Sequence, residues 1–411
     1  MDTISDYQVF TLNNGIKVIH KQIDGIIAHC GFFINVGTRD EQDHEQGMAH
    51  YIEHVIFKGT KKRKAYHILS RLDDVGGDLN AYTSKEETCI YATFLKEHYT
   101  RSIELLADIT FNSTFPQKEI EKEKEVIIDE INSYKDNPSD LIFDDFEEIM
   151  FKEHPLGKNI LGTKKHIKKY TQKDILNFIE RTYTSDSIIF CSLGNISFKE
   201  IQKLCNKFIG DIPIKKGVSE RNQEIIYNPF YKTQKKSNYQ SHCVIGSPAY
   251  NVSDDRKTAL ILLNNILGGS GMNTRLNLNI REKYGFCYNI ESNYTPYLDT
   301  GVFSVYLGTD KAVLEKSIAL VYKELKKLKD NKLSALQLHK AKKQIIGQIA
   351  ISQQNNSTEM LSLGKSLLVF NKVDTLEEIY NKINNVTAEE MLDISNEIFD
   401  HDKLSTLIYT P

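Results

Sequence analysis

Residues 50–54 read His50-Tyr51-Ile52-Glu53-His54, inside a segment, Gly47 to Phe57, whose apolar residues recur at helical spacing. Positions four apart stack on one face of a helix, so both imidazoles can reach one ion, and Glu53, three positions after His50, shares that face. Zinc takes imidazole nitrogen and carboxylate oxygen at about 2.0–2.2 Å, and a hydrolytic site keeps three protein ligands plus a water. A carboxylate beside the ion can take a proton from that water. The pentapeptide therefore reads as metal-assisted hydrolysis, with His50 and His54 as ligands and Glu53 as general base. The same five residues also fit a plain surface cluster, so the reading needs a further ligand from elsewhere in the chain.

A second charged stretch offers carboxylates. Phe115-Pro116 opens a long helical pattern with proline near its first turn, carrying Glu119, Glu121, Glu123, Glu125 and Glu130 among lysines. A solvated, salt-bridged helix face accounts for most of them. An internal repeat offers a contrast within the chain. Lys124 to Ile131 reads KEVIIDEI, and Lys342 to Ile349 reads KKQIIGQI. The run from Tyr170 to a strand-like Ser187 to Leu193 is echoed by Val386 to Tyr409, each with a Thr placed to cap a helix before a short strand. Upstream, Gly31 to Phe57 is echoed by Cys243 to Leu267. On this alignment Glu130 faces Gln348, Glu123 faces Ala341, and the stretch holding His50 and His54 faces Ala259 to Leu267, which has no histidine. The chemistry is expected in the first half only.

The elements that must position these groups follow from the same repeat. The expected fold is α+β, in two tandem homologous halves, each an antiparallel sheet with helices packed mainly on one face. Residues 1–214 form the half with the metal site, 215–238 a polar linker, and 239–411 the second half. Asn13-Asn14-Gly15, between two alternating runs, predicts a hairpin.

Bulk properties exclude several classes. The chain has 411 residues, enough for two to four domains at roughly 100–200 residues each. With 52 basic and 55 acidic residues its formal charge is -3, which predicts neither a nucleic-acid surface nor a membrane surface. The start, Met1 to Asp6, has no basic and apolar leader pattern, and no apolar run reaches the roughly 18–20 residues of a membrane span. The six cysteines are scattered without CxxC spacing, as in a reducing compartment, so any metal must use other ligands. A cytoplasmic protein is expected. His44, His154, His242 and His339 are assigned no role.

With these residues in place, the sequence resembles the pitrilysin-type (M16) zinc peptidases. Its His-x-x-Glu-His order is the inverzincin arrangement. The likeness is greatest to the short two-domain branch near the mitochondrial processing peptidases. It is carried by Gly47 to Thr60, Leu79 to Ser84, Glu123 to Glu130, His154-Pro155-Leu156-Gly157, Gly268 to Met272 and Arg281 to Tyr288. It implies a Zn2+ endopeptidase acting on peptides or unfolded segments inside a closed chamber. It also implies Glu130 as third ligand, roughly seventy-odd residues past the second histidine, and Glu123 as the carboxylate that supports the site. Arg281 and Tyr288, seven residues apart, are implied to bind the substrate carbonyl and the oxyanion that forms from it. Asp78 to Ser84 matches an edge strand that pairs with extended substrate, with Asn80 and Ala81 at the contact. Because this chain keeps both the metal motif and the Arg/Tyr pair, a homodimer is expected, with a heterodimer of related chains as the alternative. A non-catalytic scaffold of the same fold is the competing function.

Overall fold

The computed structural model describes residues 7–217, 221 and 224–411, which form eleven strands and the helices between them. The first sheet holds β1 (Gln8–Thr11), β2 (Lys17–Gln22), β3 (Ile27–Ile34), β4 (Asp78–Thr83), β5 (Thr88–Leu95) and β6 (Ile188–Gly194). Its order is β1-β2-β6-β3-β5-β4, so β4 is an edge strand. The second sheet holds β7 (Tyr231–Lys235), β8 (Ser241–Ala249), β9 (Cys287–Pro296), β10 (Gly301–Thr309) and β11 (Ser405–Thr410), in the order β7-β11-β8-β10-β9. Each sheet is mixed rather than purely antiparallel, because β2 pairs β6 in parallel, and β7 pairs β11 in parallel. In both cases the partner strands are far apart in sequence and are joined by a long connection that includes three other strands and several helices, which permits a parallel pair.

The shared pairing pattern bears out the tandem repeat. So do the caps: the Thr171 side chain accepts from Asp174 N and the Thr387 side chain from Glu390 N, each starting a helix that feeds the central parallel strand. The Asn13-Asn14-Gly15 turn joins β1 to β2 with Gly15 at φ +95°, a backbone state that glycine adopts without strain.

The described chain forms two compact units, and neither is contiguous. The first takes the chain through Asn132, then Lys158–Arg221 and Ser352–Thr375; the second takes Ser133–Gly157, Asn222–Ile351 and Leu376–Pro411. These units do not coincide with the spans 1–214 and 239–411 read from the sequence. The reason lies in the central strands, which are buried on both faces and need a cover on each. In the first unit Val18, Ala28, Cys30 and Phe32 enter the main core, while Ile19, Phe33 and Cys191 on the opposite face pack against Met360, Leu363 and Leu367 of helix Asn356–Phe370. In the second unit Cys243 and Ile245 enter the main core, while Val244, Leu407 and Tyr409 pack against Leu141, Ile142 and Phe146 of helix Pro138–Met150. Each half has thus exchanged one covering helix with the other.

The stretch expected as a linker, 215–238, contains β7, which is polar and mostly exposed; residues 218–220 and 222–223 of it lie outside the described residues. All six cysteines are buried and unpaired. Among the described residues, no helix is long and apolar enough to cross a membrane.

Candidate metal centre

His50, Glu53 and His54 lie on helix Met48–Val55, which starts at Gly47 with φ +88° and buries Met48, Tyr51, Ile52 and Val55 in the first unit's core. Glu123 and Glu130 lie on helix Gln117–Lys135. Seven residues are close to two turns, so the two carboxylates share one face while Ile120, Ile127 and Ile131 are buried. The Tyr51 hydroxyl donates to Ile120 O at 2.5 Å, which holds the two helices together.

This packing brings the three expected ligands together. One donor atom from each of His50, His54 and Glu130 falls within 4.8 Å of the others. Glu130 Oε2 stands 3.4 Å from His54 Nε2 and 3.7 Å from His50 Nε2. The imidazole centroids are 4.7 Å apart. Burial, and then the neighbouring His54, lower the His50 pKa to about 4, so its ring is neutral and keeps a free lone pair near pH 7. Glu130 Oε2 is buried and has no hydrogen-bond partner among the described residues. An acceptor-only oxygen aimed between two imidazole nitrogens, with nothing to satisfy it, is the donor set a divalent cation would complete. The residues present fit zinc.

Glu123 is buried, with Oε2 3.3 Å from His54 Nδ1 and Oε1 2.7 Å from the Lys58 ammonium. The carboxylate thereby favours the tautomer whose Nε2 is free for the ion. Lys58 was not singled out from the sequence; it lies four residues after His54, just past the end of the metal helix. His50 has no such support, since its Nδ1 is buried without a hydrogen-bond partner among the described residues. Burial raises the Glu53 carboxyl above its ordinary range, opposed by Thr83 on β4, then by His54. That shift favours proton uptake.

Asn80 and Ala81 lie on edge strand β4, opposite Tyr91 and Ile90 of β5. The Asn80 side chain accepts from Ala81 N at 2.8 Å, satisfying an amide of this strand. Arg281 and Tyr288 belong to the second unit. Arg281 sits on the wide helical turn Asn277–Glu282, 3.6 Å from Glu282, as a surface ion pair would. Tyr288, at the start of β9, is 62% exposed and is not a core aromatic. His44 is in the loop before the metal helix, and His154 is buried in the second unit.

Comparison with known proteins agrees with this architecture. The pattern described as Insulinase (Peptidase family M16) matches residues 17–164, and that described as Peptidase M16 inactive domain matches residues 169–345. The uncharacterized zinc protease YmxG of Bacillus subtilis is 32% identical, over 97% of this chain and 97% of its own length. An uncharacterized zinc protease of Rickettsia bellii is also 32% identical, over 98% and 97%. Among solved structures, a protease from Helicobacter pylori superposes with a TM-score of 0.90 at 21% identity, covering 98% of this chain and 99% of that one. A peptidase M16 inactive domain structure from Pseudomonas fluorescens gives 0.92 at 19% identity, covering 98% of each. These two show the likeness of fold. The chain belongs to peptidase family M16, in its short two-domain branch.

Proposed function

We propose that this chain is a zinc-dependent endopeptidase that hydrolyses peptides or unfolded segments. The observation that carries this is the convergence of two imidazoles and one carboxylate within 4.8 Å. The names of the relatives, zinc proteases, point the same way. His50, His54 and Glu130 would hold the ion. Zinc, when bound, supplies Lewis-acid polarisation of a carbonyl and acidifies a water near pH 7. Glu53, raised by burial, takes the proton of the attacking water and passes it to the leaving amine. Glu123 fixes the His54 ring, and Lys58 balances its charge. The open edge of β4 accepts an extended backbone at Asn80 and Ala81, so affinity comes from main-chain pairing with little demand on sequence.

The resemblance to the M16 peptidases assigns Arg281 and Tyr288 to the substrate carbonyl and its oxyanion, and both are exposed. We place the reaction in a closed chamber built by a homodimer, with a heterodimer of related chains as the alternative. The competing function, a non-catalytic scaffold, has the matched inactive-domain description in its favour. Against it, the donor set in the first unit is intact.

The test is a quenched-peptide library assay of wild type and Glu53→Gln, with zinc content measured in both. Turnover should fall about 10²–10⁴-fold while zinc is retained. Equal rates would remove Glu53 from the mechanism, and no turnover by the zinc-loaded wild type would favour the scaffold.

A further inference from the structure

Glu41 lies in the charged loop ahead of the metal helix, yet it is only 4% exposed. Its Oε2 accepts from Gly47 N and its Oε1 from Ala49 N, each at 2.9 Å. These are donors that the first turn of a helix cannot satisfy within itself, and Gly47 has no side chain to do so. Both bonds are made by one rigid carboxylate, so they fix the direction of the helix and also its rotation about its own axis. His50 follows Ala49 directly, and His54 lies one turn further on.

The surroundings hold this carboxylate and helix in one place. A Cβ on Gly47 would meet Leu161 O at 2.8 Å, so the backbone of a second loop lies tight against the helix start. Lys158, at the head of that loop, donates to Glu41 O at 3.2 Å and to Asp43 at 3.0 Å. The Tyr170 hydroxyl donates to Gln46 O at 2.7 Å. None of these groups reaches the proposed ligands, yet together they leave the helix no freedom to roll.

We propose that Glu41 is a positioning residue for the metal centre: its two hydrogen bonds to the start of helix Met48–Val55 set the rotation that aims His50 and His54 at Glu130. This rests on the metal reading above. A small roll of a short helix moves both imidazoles together, which is costly for a site that needs ligand positions fixed within about half an ångström. Glutamine cannot replace the carboxylate, because its amide nitrogen would face a backbone N–H where an acceptor is needed.

The test is Zn2+ affinity, measured by competition with a chromophoric chelator on the full chain, alongside the unfolding midpoint of the metal-free protein. Glu41→Gln should bind Zn2+ about 10–100-fold more weakly while keeping its fold. His44→Gln, an exposed change in the same loop at a residue with no part in these contacts, should bind as wild type does. A purely structural cap would lower the metal-free midpoint and leave the affinity of the folded protein unchanged; affinity within about twofold of wild type would therefore overturn the proposal. If Glu41→Gln folds poorly, Glu41→Asp, which keeps the charge but draws it back by one methylene, carries the same expected loss and the same refutation. His50→Ala separates the two levels. If it loses Zn2+ and Glu41→Gln does not, only the role of Glu41 fails. If His50→Ala binds Zn2+ as tightly as wild type, the metal centre fails and the role of Glu41 with it.

Discussion

Apart from the extra edge strand β1, the two halves of this chain place the same strand order, the same parallel pair and the same Thr-capped helix around two different interiors. In the second half, helix Lys257–Gly268 buries Ala259, Leu260, Leu262, Leu263 and Leu267. At the matching place in the first half, helix Met48–Val55 buries His50 with an unpartnered Nδ1. Glu123 and its counterpart Ala341 are buried to a similar degree, 8% and 6% exposed. The fold is therefore satisfied by apolar residues at these places. A buried polar atom without a partner costs about 1–3 kcal/mol, so the first half carries polar groups that its own folding does not need. A ligand that completes them is the physical reason to keep them.

Exchanging first-half residues for their second-half counterparts sharpens this comparison. The largest effect is expected from Glu130→Gln, which installs the residue found at Gln348. It should lower Zn2+ affinity at least about 100-fold and turnover with it, because a carboxylate ligand becomes a neutral amide. The reverse change, Gln348→Glu, should leave the zinc content at wild-type level. A second bound ion would show that the second half lacks only a carboxylate. Glu123→Ala, matching Ala341, should weaken Zn2+ binding by about 10–100-fold, read by chelator competition. Unchanged affinity would mean that the 3.3 Å contact with His54 does not support the ligand.

Mixing chains tests whether the halves cooperate between subunits. If the proposed homodimer shares its sites, Glu53→Gln and Arg281→Ala chains, inactive apart, should recover about a quarter of wild-type turnover when reassembled, since half the dimers would be mixed and each would have one complete site. No recovery would confine both residues to one chain's own site, and wild-type turnover by Arg281→Ala alone would remove Arg281 from the reaction.

The smallest effect concerns the metal-free protein and acid. His50 has a folded pKa near 4 against an ordinary value of 6.5, so between those values the unfolded chain binds more protons and stability falls as pH falls. Relative to His50→Asn, metal-free wild type should lose about 1–3 kcal/mol between pH 7 and pH 4, read from denaturant midpoints. Parallel curves for the two proteins would contradict the burial of a neutral imidazole.

Much of the metal centre was legible because its signals are local or repeated. Helical spacing joined His50 to His54, and the resemblance to the M16 peptidases picked Glu130 and Glu123 out of many helix carboxylates. Thr171 and Thr387 announced two helix starts, and Asn13-Asn14-Gly15 a hairpin. What stayed hidden depends on partners distant in sequence. Nothing in the apolar faces of helices Pro138–Met150 and Asn356–Phe370 tells which sheet each will cover, so their exchange was missed. The polar β7 has no strand-like alternation and forms by pairing with β11. Glu41 carries no signal in the sequence, because its partners are backbone amides brought to it only once the chain turns at Gly47.

The account stands on the donor set of one ion, and X-ray absorption at the zinc edge of the purified full chain tests it most directly. The prediction is one zinc per chain with two imidazole nitrogens and oxygen in its coordination shell, reduced to one imidazole in His54→Ala. A shell that contains sulfur, or that is unchanged in His54→Ala, would contradict it.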